Sequence, residues 1–63
     1  MHKKIKNLRE QAGITQEEMA KHFGVDRSAI AKWETGCAKP SVDKLPLLAK
    51  LLGCTIDELY KEV

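Results

Sequence analysis

Two predicted helices joined by a short turn at Gly24 constrain this 63-residue chain more than any other feature. Thr15 followed three residues later by Glu18 is the pattern of a capping box, in which each residue satisfies a free backbone amide of the other. Gly24 favours a helix end, because glycine readily adopts the left-handed backbone found there. Asp26, two residues after Gly24, is placed as the cap of the next helix. Helices joined by so short a turn cross steeply, so the sequence predicts a helix-turn-helix over residues 16–34.

Further helices are predicted on both sides of this unit. The first covers Lys3 to Ala12, because its apolar residues recur on one face. On that face lie Ile5, Leu8 and Ala12. The last helix begins at Thr55, where Thr55 and Glu58 repeat the capping-box pattern, and runs to about Lys61.

A fourth helix is expected from about Val42 to Leu52, ended by a glycine. Ser41 is placed as its cap, but Pro46 then falls where the helix needs an amide donor. Either the helix begins nearer Asp43, which puts Pro46 in the first turn, or it bends at the proline. The expected core face consists of Val42, Leu45, Leu48, Ala49 and Leu52.

Composition and charge indicate a small soluble protein rather than a membrane protein. An apolar content of 43% with 32% charged residues is ordinary for a small soluble globule. No apolar run is long enough to span a membrane, and the N-terminus lacks a signal-peptide segment, so we expect a cytoplasmic protein. Residues 1–40 hold eight Lys/Arg against five Asp/Glu, a net +3, whereas residues 41–63 are at −1. This mild bias suits a polyanionic partner without requiring one.

The sequence offers no catalytic or cofactor site. The residues that could act as metal ligands, Cys37, Cys54, His2 and His22, are not arranged in the close pairs that zinc requires. A disulfide is not expected in a cytosolic chain. No nucleophile–base set and no phosphate-binding glycine loop is present, so we expect neither an enzyme nor a bound cofactor.

An ordered set of short segments surrounds the two predicted helices. The segments are Leu8-Arg9-Glu10, Gly13-Ile14-Thr15-Gln16, Ala20, Gly24-Val25, Ile30, Trp33-Glu34, Gly36 and Pro40-Ser41. This set resembles the helix-turn-helix domain of the phage lambda repressor and Cro type, and it is also similar to the bacterial xenobiotic-response-element regulators. The resemblance runs from about Ile5 to Tyr60 and implies one all-α domain over residues 1–63, a compact five-helix fold with the helix-turn-helix at helices 2 and 3.

The third helix, Arg27 to about Thr35, is the candidate reader of DNA bases. Side chains near its start must reach base edges in the major groove. Arg27 and Lys32 can bind guanine, Ser28 can donate or accept a hydrogen bond, and Ala31 can contact a thymine methyl group. A solvated face without a partner would explain Lys32, but not why this face is narrow and free of acids.

The resemblance also implies contacts to the DNA backbone. Gln16 would hold a phosphate together with the amides at the start of its helix. Lys39 and Thr35 would meet the backbone in the loop that follows the third helix. Arg9 is expected to pair with Glu34 as a structural ion pair, and Arg9 is a further phosphate candidate.

We therefore expect a DNA-binding transcriptional regulator, bacterial or phage-encoded, most simply a repressor that occupies an operator. One reading helix contacts few bases, so it is expected to bind a near-palindromic operator as a homodimer. A self-association patch is predicted at Leu47, Leu51, Tyr60 and Val63. The alternative is a protein-interaction module, such as the antitoxin of a toxin–antitoxin pair, which would use the same fold to bind a protein partner.

Overall fold

The computed structural model of the chain describes residues 1–61, and within that range it contains five α-helices and no strand. The prediction of an all-α fold is confirmed. A short 3-10 helix, Val42–Lys44, lies directly before the fourth α-helix. The α-helices are α1 (His2–Gln11), α2 (Gln16–Phe23), α3 (Arg27–Thr35), α4 (Leu45–Leu52) and α5 (Ile56–Tyr60).

The start of α2 and the turn after it form as their sequence signals predict. Thr15 Oγ1 accepts a hydrogen bond from the Glu18 backbone N–H at 3.0 Å, and the Glu18 carboxylate accepts one from the Thr15 N–H at 3.1 Å. Gly24 ends α2 with a φ of +65°, in the left-handed region. Asp26 stands at the cap position of α3, but within the described residues its carboxylate accepts no capping hydrogen bond. The predicted cap position of Asp26 is therefore confirmed, but the side-chain hydrogen bond that usually accompanies such a cap does not form.

Each α-helix contributes one fully buried side chain to a common core. α3 packs against both α1 and α2, while α4 and α5 pack on each other and on α1. The rings of Phe23 and Trp33 meet edge to face, with their centroids 5.3 Å apart, and tie the end of α2 to the middle of α3. The five fully buried residues are Ile5, Met19, Ile30, Leu48 and Leu59.

The fourth helix begins later than the apolar pattern suggests. Ser41 precedes the 3-10 helix rather than α4, and Pro46 is the second residue of α4, where its missing N–H has no intrahelical partner to lose. The first of the two alternatives is thus close to what forms. The prediction that Val42 belongs to the core is wrong, since its side chain is on the surface and the residue is 79% exposed. The tighter 3-10 turn changes the angular position of Val42 relative to the face of α4.

The remaining boundaries differ from prediction by a residue or two. α1 ends at Gln11, so Ala12 follows the helix and is exposed instead of lying on the buried face. α5 begins after its predicted cap, with Thr55 Oγ1 accepting from the Glu58 N–H at 3.1 Å. Among residues 1–61, no helix has the length and apolar character needed to cross a lipid bilayer.

Candidate nucleic-acid interface

The packing of α3 determines which of its side chains face outward. Ile30, Trp33 and Glu34 are buried against the rest of the domain. The residues predicted to read bases lie on the other side of the helix: Arg27, Ser28 and Lys32 are exposed and Ala31 is half-buried. This face has one charged group at each end and small residues between them. It can donate hydrogen bonds to acceptor groups while letting the helix approach a surface closely.

A shallow cleft lies where the start of α2 meets the start of α3. It is lined by Arg9, Thr15, Gln16, Glu17 and Arg27. The first backbone N–H groups of α2 have no intrahelical partner, and the positive end of the helix dipole favours an anion there. Glu17 also lines the cleft, so its carboxylate opposes part of this positive charge.

Arg9 and Glu34 form a buried ion pair beneath this cleft. Arg9 Nε donates to Glu34 Oε2 at 2.5 Å and Nη2 donates to Oε1 at 3.3 Å, so the guanidinium grips both carboxylate oxygens. A third donor of the guanidinium, Nη1, reaches the Ile14 carbonyl oxygen at 2.6 Å. The two residues are only 9% and 6% exposed. The pair fixes α1 and the following turn against α3.

Gln16 takes part in the same network, which sequence reasoning missed. Its Nε2 donates to Glu34 Oε1 at 2.9 Å, so the first residue of α2 is bonded to the last turn of α3. The two residues are 18 positions apart and belong to different helices. No spacing rule within a helix or a turn signals such a pair.

The loop after α3 presents Lys39 and leaves Thr35 engaged by its own helix. Thr35 Oγ1 donates to the Lys32 carbonyl oxygen at 3.3 Å, which leaves the hydroxyl free only as an acceptor. A phosphate has acceptors only, so Thr35 must rotate before it can donate to one. The Ala38 N–H also bonds the Lys32 carbonyl, at 3.2 Å, and folds the loop back onto the helix. Lys39 is exposed.

The predicted self-association patch is only partly an outer surface. Leu47 and Tyr60 are 42% and 59% exposed, whereas Leu51 is half-buried and packs against the core. Val63 lies outside the described residues. Sequence reasoning missed two other exposed apolar side chains, Val42 and Ile56.

Among the ionisable groups of residues 1–61, Glu18 and Cys54 have clearly shifted pKa values. The pKa of Glu18 is lowered, first by the hydrogen bond from the Thr15 backbone and then by the Thr15 hydroxyl. Burial raises the pKa of the Cys54 thiol, and the nearby Glu58 carboxylate raises it further, against a smaller opposing effect of Lys4.

Cys37 and Cys54 are both free thiols. In residues 1–61, no three His, Cys, Asp or Glu side chains are grouped as a metal ion requires.

Comparison with known proteins gives a consistent result. A helix-turn-helix family model matches residues 5–59. The HTH-type transcriptional activator BcrR of Enterococcus faecalis is 40% identical over 58 residues, which are 92% of this chain and 28% of that protein. The cryptic phage CTXphi transcriptional repressor RstR of Vibrio cholerae is 34% identical over 59 residues, 94% of this chain and 53% of that protein.

Relatives of more similar length also exist. An HTH-type transcriptional regulator of Archaeoglobus fulgidus is 35% identical over 60 residues, which cover 95% of this chain and 86% of that protein. By contrast, the chain spans about half of RstR and little more than a quarter of BcrR. No solved structure matches the chain.

Proposed function

This chain belongs to the helix-turn-helix family of the lambda repressor and Cro type, and on that premise we propose that it is a sequence-specific regulator that reads duplex DNA with α3 in the major groove. The observation that carries the proposal is the outward face of α3. Exposed Arg27, Ser28 and Lys32 stand opposite a buried side that locks the helix to the domain. A rigid helix with donors near its start is what major-groove reading requires.

We assign a DNA contact to each side chain of this face. Arg27, the first residue of α3, binds a guanine through its O6 and N7 acceptors. Ser28 bonds a neighbouring base, and Ala31 contacts a thymine methyl group. Lys32 reaches a guanine or a phosphate at the other end of the face.

The DNA backbone is held on both sides of α3. At the start of α2, Gln16 and the free amides bind one phosphate, with Arg27 in the same cleft. After α3, Lys39 and a rotated Thr35 bind another. Arg9 contributes by fixing Glu34 beneath the cleft, which is consistent with its burial. Glu17 limits the affinity of the first phosphate site, because its carboxylate repels an anion.

Selectivity requires two copies of the reading helix. One helix reads too few bases for a specific site, so the domain binds a near-palindrome as a homodimer, with half-site centres about 34 Å apart. Exposed Leu47 and Tyr60 supply apolar area for self-association. Binding to an operator that overlaps a promoter blocks transcription without any further activity, so we propose a repressor. The matched relatives include both a named repressor and a named activator.

The first experiment is selection of bound duplexes from a random DNA library at physiological salt. We expect an enriched two-fold sequence whose half-sites lie one helical turn apart. A reporter gene with this sequence across its promoter then gives the sign of regulation, with lower expression expected. Enrichment of a single unpaired half-site would overturn the dimer, and no enrichment by the folded protein would overturn DNA reading itself.

A second candidate function is a protein-interaction module such as an antitoxin. The observation that favours it is the number of large apolar side chains left exposed: Val42, Leu47, Ile56 and Tyr60. Antitoxins often bind DNA as well, so the two functions are compatible. A matched pair of variants distinguishes a partner surface from the DNA face. Leu47→Asp should abolish capture of a protein partner and spare binding of one half-site, whereas Arg27→Ala should do the reverse.

A further inference from the structure

We infer that Glu34 is a positioning residue for DNA binding, because its buried carboxylate fixes the direction in which the side-chain amide of Gln16 points. The inference rests on the proposed function, in which Gln16 meets a phosphate. Glu34 itself does not touch DNA in this arrangement, since its side chain is only 3% exposed. It acts through the hydrogen bond from Gln16 Nε2 to Glu34 Oε1, at 2.9 Å.

The charge of Glu34 determines which end of the Gln16 amide faces inward. An ionised carboxylate can only accept hydrogen bonds, whereas a glutamine amide has a donor end and an acceptor end. A flipped amide would place its carbonyl oxygen against the carboxylate oxygen, with no hydrogen between them. The nitrogen must therefore face Glu34. Nε2 carries two hydrogens and Glu34 accepts one of them. The other N–H and the carbonyl oxygen of Gln16 therefore remain available to a ligand at the surface.

Arg9 holds the carboxylate in place while it directs Gln16. Two donors of the guanidinium grip the two Glu34 oxygens, and a third is anchored on the Ile14 carbonyl just before α2. Glu34 Oε1 thus accepts from both Arg9 and Gln16. The three side chains come from α1, α2 and α3, so the direction of the amide is set by the packing of the whole domain.

This arrangement prepares Gln16 before DNA arrives. A free glutamine on a helix surface samples many rotamers, and ordering it on binding reduces affinity. In this domain the hydrogen bond to Glu34 orders the Gln16 side chain in advance. Gln16 lines the same cleft as Arg27, so we expect its second N–H to be directed into that cleft. A phosphate in this cleft therefore meets a donor whose direction is set in advance. Because Arg9 neutralises Glu34, the carboxylate directs Gln16 without repelling the phosphate.

A double-mutant cycle tests the inference. The double variant Arg9→Met with Glu34→Leu replaces the buried pair by apolar side chains of similar size, a change that buried pairs commonly tolerate. It leaves Gln16 without its acceptor. We expect its affinity for the duplex selected by the wild-type protein to fall about 3- to 10-fold, the effect of one hydrogen bond. In a Gln16→Ala background, the same double substitution should change affinity by less than about 2-fold.

A matched control separates positioning from a general loss of structure. In a Lys39→Ala background, which removes a phosphate contact outside this network, the double substitution should still cause the full loss. A merely structural role of Glu34 predicts the same loss in the Gln16→Ala and Lys39→Ala backgrounds. That result would overturn the inference.

The direction of the amide can also be measured without DNA. In ¹⁵N NMR spectra of the wild-type protein, the side-chain amide signals of Gln16 are assigned by their absence from the Gln16→Ala variant. We expect one of the two hydrogens to exchange slowly with water and the other quickly, since Glu34 protects only one. Equal, rapid exchange of both hydrogens would overturn the inference even if the double variant did not fold.

The two measurements distinguish this inference from the proposed function. If the wild-type protein binds a selected duplex but the cycle is additive, only the positioning role fails. If the wild-type protein binds no duplex, the proposed function is wrong, and the role of Glu34 in DNA binding is wrong as well. The NMR spectra still report whether Glu34 fixes the direction of the Gln16 amide.

Discussion

Arg9 and Glu34 are joined by a buried ion pair that links α1 to α3 across 25 positions of the chain. Removing one partner leaves the other charge buried and unpaired, which destabilises a protein by about 3–5 kcal/mol. A domain of this size is expected to have a total stability of only about 3–9 kcal/mol. We therefore predict that Glu34→Ala loses a third or more of its free energy of unfolding, as measured by urea denaturation followed through the fluorescence of Trp33.

The matched control for this prediction is the double variant Arg9→Met with Glu34→Leu, which removes both charges. Its free energy of unfolding should equal that of the wild-type protein or exceed it by up to about 4 kcal/mol. A Glu34→Ala protein as stable as the wild type would contradict the ion pair as a source of stability.

The features that could be predicted from the sequence are those whose partners lie close together along the chain. The Thr15–Glu18 capping box spans three residues, and its hydrogen bonds form as the pattern predicts. Gly24 ends α2 because its own backbone conformation is left-handed. Such local signals, together with the resemblance, were sufficient for the fold and for the outward face of α3.

The features that were missed or wrong depend on packing between elements. Val42 has the helical spacing of a core residue, but a 3-10 turn precedes α4 and turns it outward. The Gln16–Glu34 hydrogen bond depends on how α2 and α3 cross, which no local pattern specifies. The position of Arg9 opposite Glu34 was expected only because of the resemblance, not because of its spacing.

Glu18 gives a pH dependence of stability on the acid side. The Thr15 backbone, through its hydrogen bond, lowers the pKa of the Glu18 carboxyl below the usual 4.5. The folded state thus favours the ionised form, so this contribution is fully present above pH 4.5 and is lost as the pH falls through the lowered pKa. We predict that Tm falls less steeply over this range in Glu18→Gln, which keeps a neutral cap that does not titrate.

The experiment compares Tm against pH for the two proteins. A carboxyl titration of Glu18 by NMR gives the pKa directly. Identical acid-side slopes for the wild-type protein and Glu18→Gln, or a Glu18 pKa at or above the usual value, would contradict this assignment.

The two thiols are predicted to react at different rates. The thiolate is the reactive form, and burial together with Glu58 raises the pKa of Cys54, so little of it is ionised at neutral pH. Cys37 is exposed in the loop after α3 and is open to reagents. An alkylating agent at neutral pH should therefore modify Cys37 several times faster than Cys54, as followed by mass spectrometry. In Cys37→Ser only the slow reaction should remain; a fast reaction in that variant would refute the prediction.

Arg27 and Lys39 are predicted to affect DNA binding in different ways. Arg27 begins α3 and, as a base reader, should contribute about 1–3 kcal/mol of discrimination at its position in each half-site. Lys39 contacts only phosphate in our proposal, so Lys39→Ala should weaken all duplexes about equally and reduce the salt dependence of binding by about one ion per site. Titrations of both variants against the selected duplex and single-base changes of it, at several salt concentrations, measure these effects. If Arg27→Ala weakened every duplex alike, Arg27 would be a phosphate contact and the reading face would have to lie elsewhere on α3.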